Sequence, residues 1–198
     1  MSERTASPAA AGDLLVATPA LLDPNFERTV VLVLDIDDDG ALGVVLNRPS
    51  RVSVGEILPQ WRDLATAPDL LFEGGPVGTD SALAVGVSEP LSPGPGPDPG
   101  DGPLGFRRLY GDVGIVDLDT PTEIVGSSLS RLRIFAGYAG WGSEQLLAEI
   151  RSGSWYVLPS LPGDLFAGEP ETLWTRVLRR QPGELAWVST RPLDPSMN

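Results

Sequence analysis

Apolar residues along this chain gather in short runs separated by Gly, Pro and Asp, the pattern of a protein built from short strands. Asp13–Ala17 reads as a short buried strand that Thr18 and Pro19 end. Thr29–Ile36 and Ala41–Leu46 are two further apolar runs, and Asp37-Asp38-Asp39-Gly40 between them is a hairpin signal that makes them antiparallel neighbours. Ser53 and Glu56 have the spacing of a capping box, after which Ile57, Leu58 and Trp61 line one face of a helix that Pro59 shortens. Leu70–Phe72 is stopped by Gly74-Gly75-Pro76, and Ala82–Val87, Phe106–Tyr110 and Val113–Leu118 continue the strand pattern. Pro121–Leu129 is expected to be a short helix capped by Thr120. Arg131–Ala136 alternates polar and apolar as a half-buried strand does, Gly137–Gly142 reads as a loop, and Ser143 caps a helix with Leu146, Leu147 and Ile150 on one face. Trp155–Leu158 is another strand. Glu171–Arg180 is a helix with acid at its start and Arg179-Arg180 at its end, and Leu185–Ser189 is read as a last strand closing the sheet. Strands and helices mix without a βαβ rhythm, so the expected class is α+β, in one domain over residues 12–198.

Two segments stand outside that pattern. Residues 1–11 carry no strand or helix signal and are expected to be a flexible tail, while the Pro/Gly-rich residues 89–105 are expected to be a mobile surface loop. No apolar run approaches the roughly 20 residues of a membrane helix, and none precedes the early Ala run as in a signal peptide. The expected location is therefore the cytosol.

Composition narrows the chemistry sharply. The chain has no His and no Cys, and all 14 basic residues are Arg. Without His there is no Ser-His-Asp or Cys-His relay; without Cys there is neither disulfide nor thiolate metal site; without Lys there is no Schiff base and no P-loop lysine. No cofactor and no resident metal is expected, and catalysis is disfavoured. The enzyme alternative is a carboxylate-dependent hydrolase, with or without Mg²⁺, drawing on Glu73 or the Asp35–Asp39 cluster. A net charge of −13 repels nucleic-acid phosphates and anionic membranes.

Several motifs invite functional readings. Asp35–Gly40 matches the opening of a calcium loop, but its twelfth position is Leu46 rather than Glu, and its flanks read as strands, so an acidic hairpin turn is the better reading. The Gly137–Gly142 loop lacks Lys and carries Glu144 where a bound phosphate would lie. Trp141, between two glycines, is either a lid over the core or an exposed binding anchor. Gly74 and Gly75 allow a tight turn or close backbone approach, and Arg48 is expected to pair internally, with Glu73 as a candidate, or to hold an external anion.

Five segments in register resemble the AlgH/YqgE family of bacterial proteins: Leu14–Pro19, Asp23–Val30, Gly43–Pro49, Gly74–Val77 and Gly137–Gly142. The resemblance implies a compact α+β domain whose bifurcated, largely antiparallel sheet forms a partial barrel with helices packed outside. It implies no established enzymatic activity, and members are often labelled as transcriptional regulators. Where many members carry a His beyond the Gly-Gly-Pro-Val motif, this chain has Ser81–Gly86; where the family reads Gly-Pro-Gly-Gln after the tryptophan, it has Gly142–Gln145.

The expected function is non-catalytic binding or regulation in the cytosol, toward a protein or small-molecule partner whose identity the sequence leaves open. Asn47, Arg48, Glu73, Gly74, Gly75, Tyr138 and Trp141 form the candidate surface. Transcriptional regulation is expected only through a protein partner. Duplex DNA in a low-salt mobility-shift assay should therefore remain unshifted; a retarded complex there, where electrostatic binding is strongest, would overturn this exclusion.

Overall fold

The computed structural model describes residues 9–89 and 103–190. β1 (Asp13–Ala17), β2 (Val30–Ile36) and β3 (Gly40–Val45) form an antiparallel meander, with β10 (Trp155–Pro159) on the far side of β1. The hairpin between β2 and β3 closes through Asp37, whose Oδ1 accepts the N–H groups of Asp39 at 2.8 Å and Gly40 at 3.1 Å. That local competition for backbone donors is why an Asp run makes a turn rather than extending either strand.

The remaining strands gather around β9 (Leu129–Gly142). β6 (Val77–Ser88) pairs with it antiparallel, followed outward by β8 (Val113–Val116) and β7 (Phe106–Tyr110). β5 (Leu70–Glu73) lies parallel to it at Phe135 and Ala136 and carries β4 (Pro49–Ser53), while Ala139–Gly142 pair with β3. Val45 N–H donates to the Gly74 carbonyl at 2.9 Å, joining the ends of the two branches. The result is a curled, bifurcated half-barrel in a single α+β domain, as expected.

Burial follows strand parity. Leu14, Val16, Val30, Leu32 and Leu34 face one core, where α4 (Leu173–Arg179) adds Leu173, Trp174, Val177 and Leu178. Leu15, Ala17, Val31 and Val33 face a second core, covered by Trp141, Trp155 and α3 (Gln145–Arg151). Both faces of β1 and β2 are buried, so these strands read as continuous apolar runs rather than alternating ones. A third core joins Ala84, Val116, Leu132 and Ile134 to Val54 of α1 (Val54–Ile57) and to Val125 of α2 (Thr122–Val125). Fully buried Trp61 fills that core from the 3₁₀ turn after α1. Ser53 and Glu56 form the expected capping box.

Four expectations are corrected. Gly137–Gly142 is no loop but the end of β9, because Gly137 lets two backbones touch rather than turn the chain. Leu185–Ser189 does not close the sheet; it falls in α5 (Glu184–Val188), packed against α4 and started by Gly183 at φ 71°. An apolar run this short carries no decisive period. Thr120 does not cap α2, since its hydroxyl bonds Asp117 Oδ2 at 3.1 Å and Pro121 takes the cap position. Residues 9–11 belong to the fold rather than to a tail: Ala9 is buried against the α3 core, and the adjacent Gly12 N–H reaches the Val33 carbonyl at 2.8 Å. The rest of the expected tail, and residues 90–102 of the expected loop, lie outside the described residues.

At the branch point a Cβ on Gly74 would sit 2.2 Å from the Gly137 carbonyl oxygen and 2.9 Å from Phe135 Cβ. Gly74→Ala should therefore destabilise the protein by about 2–3 kcal/mol through forced backbone separation. Gly168→Ala, with nothing within 4 Å of its new Cβ, should change stability by less than about 0.5 kcal/mol. Equal urea midpoints for the two variants would refute the contact.

Candidate functional site

Arg48 follows β3, and its guanidinium donates to main-chain carbonyls: Asn25 at 2.6 Å, Pro24 at 2.9 Å and Glu27 at 3.3 Å. The expected ion pair with Glu73 is not formed, because the Asp23–Glu27 turn presents a cluster of carbonyls that fits the planar fork better than one carboxylate. Asp23 holds that turn, its side chain accepting Asn25 N–H at 2.8 Å and its carbonyl accepting Glu27 N–H at 2.7 Å. Asn47 clasps the same segment from the other side, accepting Val30 N–H and donating to the Arg28 carbonyl, both at 2.9 Å. Its role is to fix backbone, and none of these bonds reaches outward.

Glu73, at the end of β5, is exposed, and its carboxylate has no partner among the described residues. Arg48, Glu73 and Gly75 come together around a pocket of about 330 Å³, completed by Asn25, Pro76, Thr79 and Ala136. Gly74 is buried behind it. Gly75 has φ 153° and passes so close to Tyr138 that a Cβ would lie 2.3 Å from its carbonyl oxygen. The pocket wall is thus a tight backbone crossing that strands β5, β6 and β9 hold in place.

Tyr138 and Trp141 part from this pocket. Half-buried Tyr138 lines a separate open groove of about 440 Å³ with Asp35, Asp37, Asp39 and one edge of Trp141. Trp141 is only 5% exposed, so it is core rather than anchor. Its ring packs near Phe26 and Trp155, and its indole N–H donates to Glu149 Oε2 at 2.9 Å. Trp155 donates to the same oxygen at 2.8 Å, and Gln145 donates to Oε1 at 3.0 Å. One carboxylate therefore satisfies two buried indoles, each of which would otherwise cost about 1–3 kcal/mol as an unpaired donor. Glu73 and the Asp35–Asp39 cluster open onto different concavities, so they do not act on one ligand together. Among the described residues no group of three or more acidic side chains is placed to hold a metal ion.

Three features escaped the sequence reading. Glu149 is one, lying outside the apolar face of Leu146, Leu147 and Ile150 that the sequence marks on its helix. Arg133 falls on the polar face of a strand read as half-buried, yet it is 2% exposed and has no carboxylate partner among the described residues. Its donors go to the Leu165 carbonyl at 2.8 Å and the Ala67 carbonyl at 3.2 Å, with its charge 4.2 Å over the Phe72 ring. Burial lowers its pKa to about 10, so it remains protonated near neutrality. The third is a cleft of about 500 Å³ between the 160–166 segment and the ends of β6, β7, β8 and β9. Tyr110 lines it, and burial raises the pKa of its phenol to about 12.

Comparison with known proteins places this geometry in a family. The model of the family described as DUF179, AlgH-like, matches residues 14–186. Over the full length of both chains the protein is 55% identical to SCO2948 of Streptomyces coelicolor, described as a UPF0301 protein. It is 44% identical to a UPF0301 protein of Mycobacterium tuberculosis over 95% of this chain and 90% of that one. The crystal structure of DIP2367 from Corynebacterium diphtheriae superposes with a TM-score of 0.81 at 35% identity, covering 93% of each chain. The solution structure of the AlgH protein from Pseudomonas aeruginosa does so with 0.64 at 26% identity, covering 97% of each. None of these descriptions assigns an activity.

The Tyr110 environment has a measurable consequence. Its pKa is raised from 10 to about 12, so between those values the unfolded chain loses a proton that the folded one keeps. The contribution of Tyr110 to stability is complete below about pH 10 and falls away as pH rises through about 12. Arg133 acts oppositely there, because its folded pKa is depressed. The comparison must therefore be made against Tyr110→Phe, which should show a smaller loss of stability than wild type over that range in denaturant titrations. Identical pH profiles would contradict the burial of the phenol.

Proposed function

The chain belongs to the AlgH-like family, and we propose that it works as a non-catalytic cytosolic binding or regulatory protein that engages a partner through the pocket between Arg48 and Glu73. The observation that carries this reading is the state of the two charged groups. The Arg48 guanidinium is occupied by three carbonyls and serves as wall, while the Glu73 carboxylate is displayed without a partner among the described residues. Such a pocket accepts hydrogen bonds and positive charge, so its ligand is a basic or amide-bearing segment of a partner.

The net charge of −13 reinforces this selection by drawing a cationic partner from a distance and repelling anionic ones. The lack of His, Cys and Lys supports binding over hydrolysis. A role in transcription would run through a protein partner, since the same field opposes contact with phosphates. No helix among the described residues is long and apolar enough to cross a membrane, which is compatible with a cytosolic site of action.

The test is affinity capture from the native host with immobilised full-length protein. Wild type and Glu123→Arg, a reversal at an exposed residue of α2, should retain the same partner, releasing it as salt is raised. Glu73→Arg should lose it by at least about tenfold, the loss expected for a charge-assisted contact turned repulsive. A captured set unchanged by Glu73→Arg would reject the pocket as the binding surface.

A further inference from the structure

We propose that the cleft beneath the 160–166 segment is a second binding site, independent of the Arg48–Glu73 pocket, and that it takes a small amphiphile ending in a single carboxylate. Its volume of about 500 Å³ lies within the range of small-molecule sites, roughly 300–1,000 Å³. Leu32, Val87, Val113, Leu165 and Phe166 make its walls apolar. An apolar body placed there leaves water, and that term does not depend on the charge of the protein.

The polar groups at the rim decide what the other end of the ligand must be. Ser130 already donates to the Val87 carbonyl at 3.1 Å, and Ser160 donates to the Gly12 carbonyl at 2.6 Å. Asp112 is paired with Arg108 at 2.8 Å. Two donor groups remain. Arg131 is exposed, has no carboxylate partner among the described residues, and lies with its guanidinium carbon 5.6 Å from the centre of the Phe166 ring. The Tyr110 phenol has no hydrogen-bond partner among the described residues and stays protonated far above neutrality. An exposed guanidinium near an aromatic ring, with no carboxylate of its own, offers its fork of N–H donors to a planar, two-pronged acceptor, which is the geometry of a carboxylate.

The same residues select against other head groups. A neutral head leaves the guanidinium unanswered. A doubly charged phosphate meets one arginine without a carboxylate partner among the described residues and a protein of net charge −13, so its second charge is uncompensated. One negative charge on an apolar body is what the cleft balances.

Isothermal titration of the full chain with decanoate and with decan-1-ol tests this. Decanoate should bind, with the alcohol weaker by about tenfold, the scale of one charge-assisted hydrogen-bonded pair. Arg131→Gln should bring decanoate down to the affinity of the alcohol, and Arg131→Lys should recover part of the loss. Arg151→Gln, which removes the same charge from exposed α3, should leave binding unchanged, as should Glu73→Arg. The proposal is overturned by absence of decanoate binding, by equal affinity for acid and alcohol, or by equal losses in Arg131→Gln and Arg151→Gln. Because Glu73→Arg separates the two sites, failure here leaves the Arg48–Glu73 reading standing, and the reverse holds as well. Arg131 lies on the surface, and matching melting temperatures for wild type and Arg131→Gln verify that the variant is folded.

Discussion

The backbones of Gly74–Gly75 and Gly137–Tyr138 approach more closely than any side chain would permit, and the architecture depends on that contact. Strand β9 pairs with β5 through Ala136 and with β6 through Tyr138 before it goes on to pair with β3 from Ala139, so one strand serves both branches of the sheet. The crossing needs positive φ at Gly75 and Gly137 as well as missing side chains. The pocket beside Arg48 has this crossing as a wall.

Much of this was legible in the sequence because it depends on local period and turn chemistry. The apolar runs of β1, β2 and β3, the Asp37–Gly40 hairpin and the Ser53/Glu56 capping box are each specified by a few adjacent residues. Gly137–Gly142 was misread because glycine signals both a turn and a close approach, and only the partner backbone distinguishes the two. Leu185–Ser189 failed for a similar reason: five residues carry too little period to separate a strand from a helix braced by a neighbour.

The candidate site was partly legible. Arg48, Glu73 and Gly75 do share a pocket, whereas Asn47 is consumed in holding backbone, Trp141 is core, and Tyr138 faces elsewhere. What escaped detection was long-range. Glu149 bridges two tryptophans that approach from separate strands, and Arg133 gathers carbonyls from two distant segments. A charged residue on an amphipathic pattern reads as solvated unless the tertiary neighbours are known, and the 500 Å³ cleft is assembled from five separate parts of the chain. The acidic composition, by contrast, has consequences that need no tertiary knowledge, since a net field acts without regard to fold.

Arg133 has one more meaning in a chain without cysteine. It ties its own strand to Ala67, 66 residues away, and to Leu165, 32 residues away. In topological terms it is a cross-link: it closes two long loops at a single atom cluster, as a disulfide would. Unlike a disulfide it is reversible and needs no oxidant, and its strength rises as water is excluded around it. The molecule therefore has a clasp that is weak in the open chain and tightens only as the core closes.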